Sequence, residues 1–164
     1  LPDESIKNWK PYQSKKIIQD ELLFISGDEK LAKKKRIKFK DTTLNPWGTY
    51  PENYYLDQVV KESYKNKLDD LSTAVARFTT PQQIYRFVAA TNTNTALPNS
   101  FMVANPANDK LHTLSFEPAI KFDLNFVFRK DKDQIPRIKN FLDEFDAYLR
   151  TEDYISRLQK INQK

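Results

Sequence analysis

Apolar residues along this chain fall into continuous, alternating and helix-spaced runs, and each kind predicts a different element. Leu22-Leu23-Phe24-Ile25 is continuous and stops at Ser26-Gly27-Asp28, the pattern of a strand buried on both faces. Residues 1–16 show no period around Trp9, Pro11 and Tyr12 and predict irregular structure. Thr43–Tyr50, holding Pro46 and Gly48, predicts a short strand with a turn. Pro51-Glu52-Asn53 then opens a helix with apolar positions at Leu56, Val59, Val60 and Tyr64, ending before Leu68-Asp69-Asp70. Ser72–Phe78, rich in Thr, Val and Ala, predicts the next strand. Thr80 follows as an N-cap, with Pro81 at the first helical position and Gln83 completing a Thr-x-x-Gln capping box ahead of Ile84, Phe87 and Val88.

The alternating Thr and Asn of Thr91–Thr95 suit a loop, because Asn is depleted in strand interiors. Ala96-Leu97-Pro98 is a brief extended piece, and Ser100–Asn108 an irregular helical turn. His112–Phe116 and Phe122–Arg129 read as two strands, the second with Leu124, Phe126 and Phe128 on one side. Pro136 opens the last helix, whose stripe is Ile138, Phe141, Leu142, Phe145 and Leu149; Ile155, Leu158 and Ile161 extend it or form a second short helix. Strands alternating with helices predict an α/β fold with open, mainly parallel sheets. Ligands gather at the carboxyl ends of such strands, where helix N-termini direct unpaired N–H groups. The strand before Thr79 and Thr80 delivers two hydroxyls and several backbone donors to that place. If Thr80 does no more than cap its helix, Thr79 is the sharper candidate.

Composition narrows the chemistry. The 164 residues are 39% hydrophobic and 13% aromatic, enough for one sizeable core or two small lobes. The absence of cysteine excludes disulfides, thiolate catalysis and cysteine-bound zinc. No apolar run is of membrane-spanning length, and Leu1-Pro2-Asp3-Glu4 does not resemble a secretion signal, so a cytoplasmic location is expected. Opening at Leu1 rather than Met suggests a piece of a longer protein. Net charge is +5, with Lys30, Lys33, Lys34, Lys35, Arg36, Lys38 and Lys40 clustered. That block could meet nucleic-acid phosphates, but a solvated loop anchored by Leu31, Ala32, Ile37 and Phe39 is the preferred reading. The single histidine, His112, has no metal-ligand spacing near it. Asp69-Asp70 and Asp143-Glu144 are sequence neighbours, and adjacent helical residues do not share a face. Trp9 and Trp47 read as packing, although Trp47 could line a cleft. No catalytic residue, metal site or cofactor is assigned, and the chain is not expected to be an enzyme.

From about Gln19 to Leu149 the chain resembles the effector-binding (substrate-binding-like) domain of LysR-type transcriptional regulators. Glu21-Leu22-Leu23-Phe24-Ile25, Asp28-Glu29-Lys30-Leu31-Ala32 and Lys35-Arg36-Ile37 echo that family's strand, his-pro-leu loop and basic segment. Val88-Ala89-Ala90 and Ala96-Leu97-Pro98 echo its val-ala-ala-gly-leu-gly-ile-ala-leu-leu-pro signature. Phe126-Val127-Phe128-Arg129-Lys130-Asp131 echoes its leu-val-trp-arg-lys-asp strand. Thr91 and Thr93 stand where the family usually has glycine, so the turn there is expected to differ.

The resemblance implies a two-lobed, periplasmic-binding-protein-like fold, with residues 20–105 as effector-binding lobe II and residues 1–19 and 106–164 as the rest of lobe I with the C-terminal helix. It places the family's winged helix-turn-helix and a further segment of lobe I upstream of Leu1, leaving the first lobe incomplete. The implied function is sensing of a small, anionic effector between the lobes, with Thr79, Thr80, Thr49 and Tyr50 as effector contacts. Expected partners are the effector and further copies of the chain, with DNA contacted only through the absent helix-turn-helix and no membrane involved. Self-association is expected because Leu111–Phe116 and Phe122–Arg129 would otherwise keep an unpaired edge and an uncovered apolar face. A solute-binding protein of a transporter shares the same plan and is the main alternative; a basic nucleic-acid-binding module is a third.

Overall fold

The apolar run at residues 22–25 proves to be the C-terminal end of a longer strand. The computed structural model describes residues 11–42, 46–65, 74–105, 110–132 and 134–156, with Tyr64 and Lys65 by backbone alone. In it β1 spans Tyr12–Ser26. Leu22, Leu23, Phe24 and Ile25 are all buried, so both faces of β1 are covered there as their continuity predicts. Irregular structure is corrected from Tyr12 onward, because main-chain pairing makes that polar stretch a strand without leaving an apolar period.

The other strands are β2 (Arg36–Lys38), β3 (Trp47–Thr49), β4 (Ala74–Arg77), β5 (Asn94–Pro98) and β6 (His112–Arg129), in one sheet of order β2-β6-β1-β5-β3-β4. β2 pairs with β6 in parallel, and β3 with both β4 and β5; β5 runs antiparallel to β1, with Leu22 opposite Pro98 and Ser26 opposite Asn94. The helices are α1 (Tyr55–Lys65), α2 (Pro81–Ala90), α3 (Asn99–Ala104) and α4 (Pro136–Tyr148). A mixed α/β fold with a mainly parallel sheet is therefore present.

Several local expectations are corrected. Asn94 and Thr95 are buried strand residues, not loop: β1 supplies main-chain partners, and the Asn94 side chain donates to the Thr42 carbonyl at 3.3 Å. That hydrogen bond offsets the cost of burying an amide, so tertiary context overrides propensity. The two expected strands at His112–Phe116 and Phe122–Arg129 are one continuous β6. Its first half lies between β2 and β1, with Leu114 and Phe116 buried, so Leu111–Phe116 has neither the unpaired edge nor the uncovered face expected of it. The basic block is also no simple loop. It holds a 3₁₀ turn at Glu29–Leu31, β2, and a second turn at Phe39–Thr42; Leu31, Ile37 and Phe39 are buried anchors as expected, whereas Ala32 is exposed. Leu68-Asp69-Asp70, Trp9, Leu158 and Ile161 lie outside the described residues.

The chain divides into two compact units, Glu21–Lys121 and Leu1–Asp20 with Phe122–Lys164, so β1 and β6 each pass from one to the other. The crossings fall at 20/21 and 121/122. In the 21–121 unit, Leu23, Ile25, Tyr50, Ile84, Val88, Leu97, Met102 and Leu111 form a core cluster, and Phe24 sets its ring edge-on to both Trp47 and Phe116. Trp47 is a core residue whose indole N–H donates to the Thr42 carbonyl at 3.0 Å. In the other unit α4 packs through Phe141 and Phe145, whose rings lie 5.7 and 5.5 Å from that of Phe126. Lys15 pairs with Asp146, and a helical turn at 152–156 carries Tyr154, whose hydroxyl donates to the Ile17 carbonyl at 2.8 Å.

Candidate functional site

The parallel strands β3 and β4 end side by side, with Thr49 opposite Arg77. The Phe78 N–H continues the ladder by donating to the Thr49 carbonyl at 2.9 Å. Two residues later the chain turns into α2, whose Pro81 start and Thr80 cap are those expected. Thr80 is extended (φ −126°, ψ 144°), and its hydroxyl accepts from the Gln83 N–H at 3.4 Å. The return arm of the capping box differs: the Thr80 hydroxyl, not its main-chain N–H, meets the Gln83 side-chain oxygen at 3.1 Å.

This cap consumes most of the donors expected at the corner. Pro81 has no N–H, Gln83 is capped, and the Ile84 N–H reaches the Thr80 carbonyl at 3.2 Å. Gln82 is left as the first-turn N–H without a partner among the described residues. Thr79 and Thr80 are both exposed at the positive end of a ten-residue helix. Of the four sequence candidates, this pair is the one presented outward.

Thr49 and Tyr50 reach the same corner but are already engaged. The Thr49 hydroxyl donates to Asp57 Oδ1 at 3.3 Å. The Tyr50 ring is only 5% exposed, belongs to the core cluster and stacks on Tyr54 with centroids 6.0 Å apart. Burial drives its hydroxyl well above the ordinary phenol range, so it stays protonated. What Tyr50 offers the corner is its carbonyl, which accepts from Arg77 at 2.7 Å.

Arg77 anchors a polar network that sequence reasoning missed. Its guanidinium also reaches Asp57 at 3.1 Å and Glu52 at 3.1 Å, while Lys61 approaches Asp57 from the other side at 2.9 Å. Asp57 lies in the first turn of α1 with its side chain 4% exposed. A signal was available: an acid on the apolar stripe beside Leu56 and Val60, four residues before a lysine, asks for a buried cation partner. The network ties the β3–α1 connection to the end of β4, immediately before Thr79.

Elsewhere the chemistry is sparse. His112 is mostly buried, with its Nε2 3.7 Å from Glu29. Among the described residues no group of three or more His, Cys, Asp or Glu side chains could hold a metal, and no helix is long and apolar enough to cross a membrane.

Comparison with known proteins places this arrangement. No curated protein matches the chain. Among solved structures, the Synechocystis PCC6803 CcmR regulatory domain in complex with 2-PG superposes with a TM-score of 0.71 at 16% identity, covering 86% of this chain and 68% of that one. A hydrogen-peroxide-bound OxyR variant from Corynebacterium glutamicum gives 0.73 at 14% identity, over 99% of this chain and 50% of that one. Full-length CbnR complexed with its target DNA gives 0.62 at 16% identity, over 86% of this chain and 47% of that one. The chain thus spans about half the length of CbnR and of this OxyR. At such identities the likeness is one of fold, the two-lobed, periplasmic-binding-protein-like α/β plan. Residues 3–150 match the family model for the LysR substrate binding domain, and the chain belongs to that family.

Proposed function

We propose that this chain is the ligand-sensing regulatory domain of a LysR-type transcription regulator, and that it takes a small anionic effector at the corner where β3 and β4 end and α2 begins. The observation that carries the reading is the outward presentation of Thr79 and Thr80 at the N-terminus of α2, beside the carboxyl ends of two parallel strands. The Thr79 hydroxyl, the Gln82 N–H and the helix dipole suit a carboxylate or phosphate, while the Thr80 hydroxyl is engaged by Gln83. Thr49 and Tyr50 shape the floor of the site through Asp57 and Arg77. Within the glycine-poor 91–95 segment, Asn94 and Thr95 belong to β5, which pairs with β3. No catalytic residue is assigned.

Solved relatives support the parts of this reading beyond the corner: the CcmR regulatory domain was solved in complex with 2-PG and full-length CbnR with its target DNA. In this reading sequence-specific DNA recognition belongs to a separate domain of the whole protein, which works in the cytoplasm. The effector acts by its differential affinity for two arrangements of the protein. The reading of self-association draws on the exposed apolar side chains Phe141 and Tyr148 of α4 and Ile155 in the following turn. Light scattering that finds only monomer at high concentration would contradict it.

A thermal-shift screen of small carboxylates and phosphate esters tests the site. A ligand at about 100 times its Kd should stabilise the protein by about 2.7 kcal/mol. Thr79→Val should leave the ligand-free melting temperature in place and remove most of the ligand-induced shift. An unchanged shift in that variant sinks the assignment.

A further inference from the structure

The basic block gains a shape in the structure that its sequence lacks. β2 is the edge strand beside β6, with Ile37 turned inward and 1% exposed while Arg36 and Lys38 alternate onto the outer face. Phe39 stacks on Phe116 at 5.4 Å, Leu31 is buried, and the Ser115 N–H bonds the Lys35 carbonyl at 3.1 Å. The cations therefore project from a backbone tethered along its length, which reduces the ordering needed to engage a partner.

No carboxylate occurs between residues 30 and 40. Lys33, Lys34, Lys35, Arg36 and Lys38 are exposed, and none forms an ion pair among the described residues. The nearest acid in register, Glu117 opposite Lys38, makes no ion pair with it. Of the flanking acids, Asp28 caps the Glu29–Leu31 turn and Glu29 faces His112.

We propose that this edge is a duplex DNA backbone contact, sequence-independent and separate from the effector corner. An unpaired cation row meets its best complement in a polymer that repeats phosphates, which duplex DNA supplies about every 1.7 Å of axis. The one aromatic ring of the block, Phe39, is buried, so no stacking platform is offered to unpaired bases. The large apolar anchors Leu31, Ile37 and Phe39 are buried, so there is no bulky side chain to insert into a bilayer.

Fluorescence anisotropy with a labelled duplex of arbitrary sequence tests this on the whole chain. With five phosphates neutralised, affinity should fall on the order of 500-fold between about 50 and about 200 mM salt, from a slope of about −0.9 per contact. The combined variant Lys33→Gln, Lys34→Gln, Lys35→Gln should weaken binding severalfold or more at low salt and flatten that slope by about 2.7. A matched variant, Lys130→Gln, Arg137→Gln, Lys139→Gln, removes the same charge from the other unit and should bind as the parent does. The proposal is overturned if the parent does not bind at low salt, if both variants weaken equally, or if single-stranded DNA or phosphatidylserine vesicles displace the duplex at equal phosphate. Because the effector site lies elsewhere, its ligand-induced melting shift is a separate readout that this result does not move.

Discussion

The Asp57 carboxylate lies 3.1 Å from the Arg77 guanidinium, joining the first turn of α1 to the last residue of β4 at the corner where Thr79 begins. With Asp57 almost fully buried, the pair is a constraint rather than a surface ornament: a charge there must keep a partner. Arg77 also fixes the Tyr50 carbonyl, so a single side chain sets the spacing between the β3–α1 connection and the approach to α2.

Arg77→Ala should therefore destabilise the fold by about 2–3 kcal/mol, below the 3–5 kcal/mol of a wholly uncompensated buried charge because Lys61 remains beside Asp57. Urea unfolding should show a lower midpoint with an unchanged slope. A midpoint within error of the parent would mean that solvent reaches Asp57 freely and that the clamp contributes nothing.

Gly48 is where β3 passes under α2. A Cβ there would stand 2.9 Å from Phe87 Cδ1 and 3.2 Å from its Cε1, and that ring is held against Phe78 at 5.1 Å. Gly48→Ala should cost about 1–3 kcal/mol through overpacking, with part recovered on adding Phe87→Leu. Strictly additive melting shifts for the two changes would contradict a direct clash.

The Asp123 carboxyl is held below the ordinary carboxylate range, first by its hydrogen bond with Lys16, whose ammonium is 2.7 Å away, and then by Gln19 at 3.2 Å. A pKa depressed by folding means that the unfolded chain binds the proton more tightly. The resulting stabilisation is present above the unfolded value of about 3.9 and is lost as pH falls through the folded one. Lys16→Met should move the Asp123 titration, followed by NMR, back up toward the ordinary range. The proposed cause fails if Asp123 titrates identically in parent and variant.

Sequence was informative wherever the deciding contacts are local. The Thr80, Pro81 and Gln83 helix start, the Ile84 and Val88 face behind it, the Pro136 start of α4 and the buried run at 22–25 were legible because helical hydrogen bonds and apolar periods close within a few residues. The order of those elements also carried the family. Thr80 was read as the cap of a helix that follows a strand, and the structure places it there.

Tertiary structure alone decided the rest. Asn94 and Thr95 became a buried strand because β1 lies opposite them, and two apparent strands fused into β6 because β1 and β2 flank its first half. The lysine block acquired an edge strand from its register with Ser115 and Phe116, and Tyr50 became core by joining the cluster that holds Ile84 and Met102. Asp57 and Arg77 meet across twenty positions of sequence. Each of these outcomes depends on a partner brought close only by folding, and a hydrogen-bonded register or a buried charge pair leaves no periodic mark in the residues that make it.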